Sequence, residues 1–160
     1  MTDSAISIDR MVKALGLIPH PEGGFYREIW RDKKIIPGNR PGTLRNASTT
    51  ILFLVPRGSR SRLHRLASDE TWHFSLGGPI AIIELAPNAP PRKAIIGPGT
   101  AGHTVKAGTW FGALPEPGTG YTLAICIVAP GFDFADFEMA EKGRLAREYP
   151  QAAEIMDILA

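Results

Sequence analysis

The sequence holds a single cysteine, Cys126, among its 160 residues, so no disulfide can form within the chain and no cysteine-based zinc motif exists. Cys126 sits in the apolar run Tyr121 to Val128 and reads as a small core residue. No apolar run approaches the about 18 residues that a membrane helix needs. The opening residues, Met1 to Asp9, include acids and lack an apolar stretch of leader length, so the expectation is a cytoplasmic protein with no membrane partner. A dominant charge is missing as well: 18 Lys and Arg against 16 Asp and Glu leave a formal +2, which argues against nucleic acid as a partner. The one basic cluster, Arg57, Arg60, Arg62 and Arg65, reads as a solvated strand edge or an anion contact. Nucleotide hydrolysis and serine-hydrolase chemistry have no support, because no P-loop, Rossmann glycine motif or Gly-x-Ser-x-Gly elbow is present.

What the chain has in excess is punctuation. Its 17 glycines and 14 prolines exceed an average combined share of roughly 12%, which implies many tight turns between short elements and excludes a long helical bundle. With 44% hydrophobic and 21% charged residues the chain can bury a core large enough to offset its conformational entropy. Its length suits one domain, taken as residues 1–160 with a core from about 20 to 137.

Ile8, Met11, Val12 and Leu15 fall at the spacing of one helix face, with Gly16 placed to end the helix. His20-Pro21-Glu22-Gly23-Gly24 is a shaped loop leading into a strand at Phe25 to Trp30. Asp32 to Asn46, polar and rich in proline and glycine, reads as a surface loop. Short β-rich runs follow at Thr49–Val55, Arg62–Leu66, Thr71–Leu76, Ile80–Leu85, Lys93–Ile96, His103–Lys106, Thr109–Ala113 and Tyr121–Val128, with turns between them, among them Pro87 to Pro91. Many short strands at such spacing signal an all-β sandwich or barrel. Gln151 to Leu159, with Ile155, Ile158 and Leu159 on one side, reads as a C-terminal helix. Phe132, Phe134 and Phe137 read as a latch of the C-terminus onto the barrel.

Among the four histidines, His64 stands out because Glu70 follows on what reads as the next strand. Strand alternation puts Arg62, His64 and Leu66 on one face and Glu70, Trp72 and Phe74 on another, so an imidazole and a carboxylate converge in a β-lined cavity, as a metal site or an acid/base pair requires. His73, one residue out of phase with Trp72, points to the opposite face. His103, after Gly102, reads as a solvated turn residue.

The spacing Gly58, His64, Glu70, Gly77 resembles the first motif of the cupins, in which a second histidine stands where this chain has Leu66. The second cupin motif is matched at Gly108, with Phe111 in place of its histidine. His20-Pro-Glu-Gly-Gly-Phe-Tyr-Arg-Glu28, Ser61-Arg-Leu-His-Arg-Leu66, Asp69-Glu-Thr-Trp-His-Phe74, Gly108-Thr-Trp-Phe111 and Ala129-Pro-Gly-Phe-Asp-Phe-Ala-Asp-Phe-Glu138 more closely resemble one RmlC-like cupin family with no settled reaction. The resemblance implies an all-β double-stranded β-helix, or jelly roll, with short N- and C-terminal helices, like that of the deoxysugar-nucleotide epimerases and often paired as a homodimer.

Only His64 and Glu70 remain of the usual cupin ligand set of four, and a protein-held first-row metal usually takes three or four donors. No cofactor is therefore expected, and any metal would meet an incomplete set. The expected function is to bind a small polar ligand in the barrel, with an epimerase- or isomerase-like reaction on a sugar nucleotide or similar molecule; a non-catalytic binding or structural dimer is the alternative. His64 and Glu70 are the acid/base candidates. Arg62, Trp72, Phe74, Phe111, Tyr26 and His20 are the candidate ligand contacts, Arg62 for an anionic group and Tyr26 to close the mouth, while His20 and Glu22 lie on a loop of the kind that carries binding residues.

Overall fold

A computed structural model describes residues 7–160; residues 1–6, part of the opening segment read above as lacking a leader, lie outside the described residues. Helix α1 (Ile8–Leu15) starts at Ser7, whose hydroxyl accepts a hydrogen bond from the Arg10 amide, and stops at Gly16, left-handed at φ 63°. Its buried Met11 packs with Leu17, Leu54 and Leu123 on the outer face of a sheet.

Thirteen strands follow among the described residues: β1 (Ile18–Pro19), β2 (Phe25–Arg31), β3 (Ile35–Pro37), β4 (Leu44–Asn46), β5 (Thr49–Pro56), β6 (Ser61–Leu66), β7 (Asp69–Gly77), β8 (Ile80–Ala86), β9 (Ala89–Ile96), β10 (Gly102–Val105), β11 (Phe111–Pro115), β12 (Tyr121–Ala129) and β13 (Phe137–Met139). They form two main antiparallel sheets, β1-β2-β5-β12-β7-β10 and β13-β6-β11-β8-β9, with β3 and β4 as a separate hairpin. With α2 (Lys142–Glu148) and α3 (Ala153–Leu159) at the end, this is the expected jelly roll with short terminal helices.

Strand alternation sorts the apolar side chains into layers. In β8, Ile80 and Ile82 join Phe53, Val55, Trp72 and Phe111 between the sheets, while Ala81 and Ile83 face the other way, toward Leu145, Met156 and Leu159 of the C-terminal helices. Both faces of β8 are thus covered, which is why its sequence is a continuous apolar run.

Three sequence expectations change. The loop expected over Asp32 to Asn46 contains the β3–β4 hairpin, whose three-residue strands are too short to leave a periodic signal. It is held by Arg45, whose Nε and Nη2 donate to Asp136 at 2.7 and 2.8 Å, and by Asn39, which donates to the Ala67 carbonyl at 2.9 Å. The turn expected at Pro87 to Pro91 is shorter, because β9 begins at Ala89 and runs through both Pro90 and Pro91. Strand β9 is the edge of its sheet, where a missing N–H breaks no ladder. At the C-terminus, Met156 and Leu159 are buried and Ile158 is 40% exposed, so the buried helix face is rotated from the expected one, and α2 precedes it.

Candidate functional site

Two local features of the backbone assemble the site. The loop His20–Gly24 closes on itself, the His20 amide donating to the Gly24 carbonyl and the Gly23 amide to the His20 carbonyl, both at 3.0 Å. Gly23 (φ 116°) and Gly24 (φ 66°) permit this path, and a Cβ on Gly24 would sit 2.6 Å from the Leu54 carbonyl. The loop then docks on β6, where the Arg62 amide donates to the Glu22 carbonyl at 2.8 Å.

The second feature is a bulge. Phe111 of β11 pairs with His64 and Ala113 with Ser61, so two steps on β11 face three on β6. Ser61 and His64 are therefore both buried on the inside, while Arg62 between them is exposed and donates outward to the Pro21 carbonyl at 2.6 Å. The regular alternation that put Arg62 beside His64 fails for this reason, and Arg62 does not line the cavity.

That cavity has a volume of about 580 Å³ and is lined from β2, β5, β6, β7 and β12 and by the His20–Gly24 loop. Of the residues singled out from the sequence, His20, Tyr26, His64 and Glu70 line it. Phe111 stands behind His64, the ring centroids 4.2 Å apart. Trp72 is fully buried in the core, and Phe74 packs on that core from a half-buried position; neither reaches the cavity. His73 is exposed on the opposite face, as its phase indicates. His103 lies within β10 and pairs with Glu84 rather than standing in a solvated turn. Phe132 and Phe134, read as a latch, form part of the cavity wall, while Phe137 pairs with Leu66 and does tie the C-terminal segment to β6.

Glu22 completes the cluster. Its Oε1 accepts from the Ser61 hydroxyl at 2.8 Å, and its Oε2 lies 3.2 Å from His64 Nε2. The His64 Nδ1 is 2.7 Å from the Arg62 carbonyl, and a carbonyl only accepts, so Nδ1 must carry the hydrogen. In a neutral imidazole Nε2 is then an acceptor. Burial lowers the pKa of His64, so the contact with Glu22 requires the carboxyl to be the donor. Consistently, burial raises Glu22 from 4.5 to about 8, against smaller opposing effects of the Ser61 hydrogen bond and Arg62. The geometry and the raised pKa together favour the protonated Glu22 carboxyl as donor to His64 Nε2.

Glu70 supplies a second acid. Burial foremost, then the repulsion that ionising both Glu22 and Glu70 would bring, raises its pKa from 4.5 to about 7. Its Oε2 is fully buried near the Trp72 indole, whose N–H opposes the rise in pKa although the two atoms do not meet in good hydrogen-bond geometry. His20 plays another part: its Nδ1 accepts the Glu22 amide N–H at 3.2 Å, so the 3.6 Å approach of the Glu22 carboxyl is not an ion pair. Burial, and second the repulsion that protonating both His20 and His64 would bring, lowers its pKa to about 4. Cys126 also lines the cavity, but burial and then the two carboxylates raise its thiol pKa, which disfavours a thiolate.

The donor set does not fit a protein-held metal. Leu66 and Phe111 occupy positions where cupin motifs carry histidines, and among the described residues no group of three or more His, Cys, Asp or Glu is arranged to hold an ion. The sequence marks Glu22 only through the Pro/Gly setting of His20 to Gly24, as part of a binding loop. Ser61 left none, because its inward turn depends on the bulge.

A family model described as the cupin superfamily (DUF985) matches residues 9–140. A hypothetical protein from Leishmania major is 34% identical over 96% of this chain and 98% of its own, with a TM-score of 0.88. A protein of Shewanella oneidensis is 32% identical over 96% of both chains, with a TM-score of 0.86. More distant likenesses show the fold alone: a Bacillus subtilis oxalate decarboxylase variant (13% identity, TM-score 0.55, 89% of this chain and 37% of its own) and a variant of the Streptomyces protein PAC13 with uridine (14%, 0.52, 78% and 83%). A search of curated proteins finds no match.

Proposed function

The chain belongs to the cupin superfamily, in the family described as DUF985, and on that premise we propose that it is an enzyme that moves protons on a small polar ligand held in the barrel. The reaction class is epimerisation or isomerisation. Glu70, poised near neutrality, removes a proton from a carbon next to a carbonyl, and the bonding pair passes into that carbonyl. The Glu22–His64 pair, holding the Glu22 proton, returns one to the ligand. Protons and electrons balance, so no co-reactant is needed.

The observation that carries this reading is the 3.2 Å contact between Glu22 and a His64 nitrogen that has no hydrogen of its own to give. A purely structural Glu22–His64 pair would leave no reason for a second buried acid, Glu70, on the same cavity. Oxalate decarboxylase and a protein with uridine show the range of ligands met on this fold, and a sugar nucleotide suits the cavity volume.

The test is a screen of sugar nucleotides and keto acids in D2O, read by NMR. A ligand that raises the melting temperature should exchange a carbon-bound proton for deuterium, and Glu70→Gln should abolish exchange. Exchange undiminished in both Glu70→Gln and Glu22→Gln contradicts the assignment.

We also propose that two copies associate through β2. Strand β1 pairs only with Phe25 and Tyr26, and beyond them Ile29 and Trp30 are 48% and 57% exposed on a strand edge with open hydrogen-bonding groups.

A further inference from the structure

The charge on the cavity wall is unevenly shared. Four carboxyl groups line it, those of Glu22, Glu28, Glu70 and Asp133, against the guanidinium groups of Arg27 and Arg31. Neither arginine serves the inner acids. Arg31 donates through Nε and Nη2 to the two oxygens of Glu28 at 2.9 and 2.7 Å, and through Nη1 to Asn46 Oδ1 at 2.9 Å. Arg27 pairs in register with Leu52, which packs beside α1 on the outer face of the sheet, and its Nη1 donates to the Leu15 carbonyl at 3.2 Å.

Strand register sets how far these cations stand from Glu70. Across the inner face of the sheet Glu70, Val128, Thr49 and Arg31 form one row, one residue from each of β7, β12, β5 and β2, and all four line the cavity. Three strand spacings of about 4.8 Å separate the ends of that row, roughly 14 Å along the sheet. Glu22 spends its two oxygens on Ser61 and His64. That leaves Glu70, 7% exposed. The groups that face it are His64 from β6, Glu22 from the loop and Cys126 from β12, with Trp72 of its own strand, while Val105 of β10 stands level with it; no lysine or arginine is among them. Tyr26, Phe53 and Phe132 form other parts of the wall, and aromatic faces attract cations. Two neighbouring buried acids without a cation disfavour an anion in this cavity, and an ammonium group brings the charge that is missing.

We propose that the cavity binds a ligand bearing a protonated amino group on the carbon next to its carbonyl, with the ammonium paired to Glu70. This deepens the proposed function and rests on it for the carbonyl, whereas the amine rests on the charge balance of the wall. On such a carbon the ammonium nitrogen and the hydrogen to be removed share one atom, so a single carboxylate reaches both. Pairing with the ammonium sends the Glu70 proton to solvent and leaves the carboxylate that proton abstraction needs. Phosphate or carboxylate parts of a ligand find a guanidinium without a carboxylate partner only at Arg27, on the outer face of β2, and stay outside.

The experiment uses probes matched except for the charged group, D-glucosamine against D-glucose and L-alaninamide against L-lactamide, titrated by calorimetry at pH 5, 6 and 7. At least one amine should bind about tenfold more tightly than its hydroxyl counterpart, the size of one hydrogen-bonded charge pair. Its affinity should rise by up to about tenfold per pH unit toward pH 7, and in the wild type at pH 6 its binding should release a proton, read from the dependence of the heat on the buffer. Glu70→Gln, with its fold checked by circular dichroism, should lose the preference and the pH dependence together. Equal affinities within both pairs, no binding of either amine, binding without proton release at pH 6, or a preference that survives in folded Glu70→Gln overturns the proposal. Amine binding with proton release but without deuterium exchange at carbon leaves the pairing in place and contradicts the proton-transfer reading instead.

Discussion

Glu22 and Glu70 make the stability of the protein depend on pH in a definite sense. Each binds a proton more tightly folded than unfolded, with pKa values raised to about 8 and about 7. The stability they contribute is complete below about pH 4.5 and is lost as pH rises through those values, by about 1.4 kcal/mol per pH unit per group. His20 works in the opposite direction: with its pKa lowered to about 4, its contribution is complete above pH 6.5 and lost as pH falls through about 4. Glu70→Gln cannot ionise, so in urea denaturation it should gain on the wild type between pH 5 and pH 9; a constant difference would contradict the buried acid. Ser61 holds Glu22 from the other side and lowers its pKa. Ser61→Ala should therefore raise the pKa of Glu22 further, seen by NMR titration, and cost about 1–3 kcal/mol for the acceptor left unpaired.

The strands that carry the site were legible because their apolar residues alternate or run together, and α1 because its apolar spacing and its glycine cap agree. Deviations from regular geometry were not. The β6 bulge leaves no mark in Ser-Arg-Leu-His, yet it turns Arg62 out and Ser61 in. The β3–β4 hairpin depends on pairings between distant residues, Arg45 with Asp136 and Asn39 with Ala67, which no local pattern encodes. The C-terminal helix was visible as an element, but its buried face, Met156 and Leu159, is chosen by the outer side of the β6–β11–β8 sheet. Leu159 is fully buried there, so Leu159→Ala should destabilise by about 2–5 kcal/mol in urea denaturation, and Ile158→Ala by well under half as much.

The whole molecule is a jelly roll with a cavity that His64, Glu70 and Glu22 line together. His64 and Glu70 were found as a pair because the strands that bear them follow each other in sequence; Glu22 comes from a loop 42 residues before His64 and joins them only in three dimensions. If β2 is the dimer edge, sedimentation velocity should give a dimer for the wild type and a monomer for Trp30→Glu, with the fold intact by circular dichroism. Unchanged sedimentation of Trp30→Glu would remove β2 from the interface. The protonation proposed for Glu22 and Glu70 is most directly tested by carbon-13 NMR of the glutamate carboxyl groups from pH 4 to pH 9, assigned with Glu22→Gln and Glu70→Gln. We expect two carboxyls titrating near 8 and near 7, each losing its signal in the matching variant; two carboxyls already ionised by pH 5 would contradict the proton-transfer site.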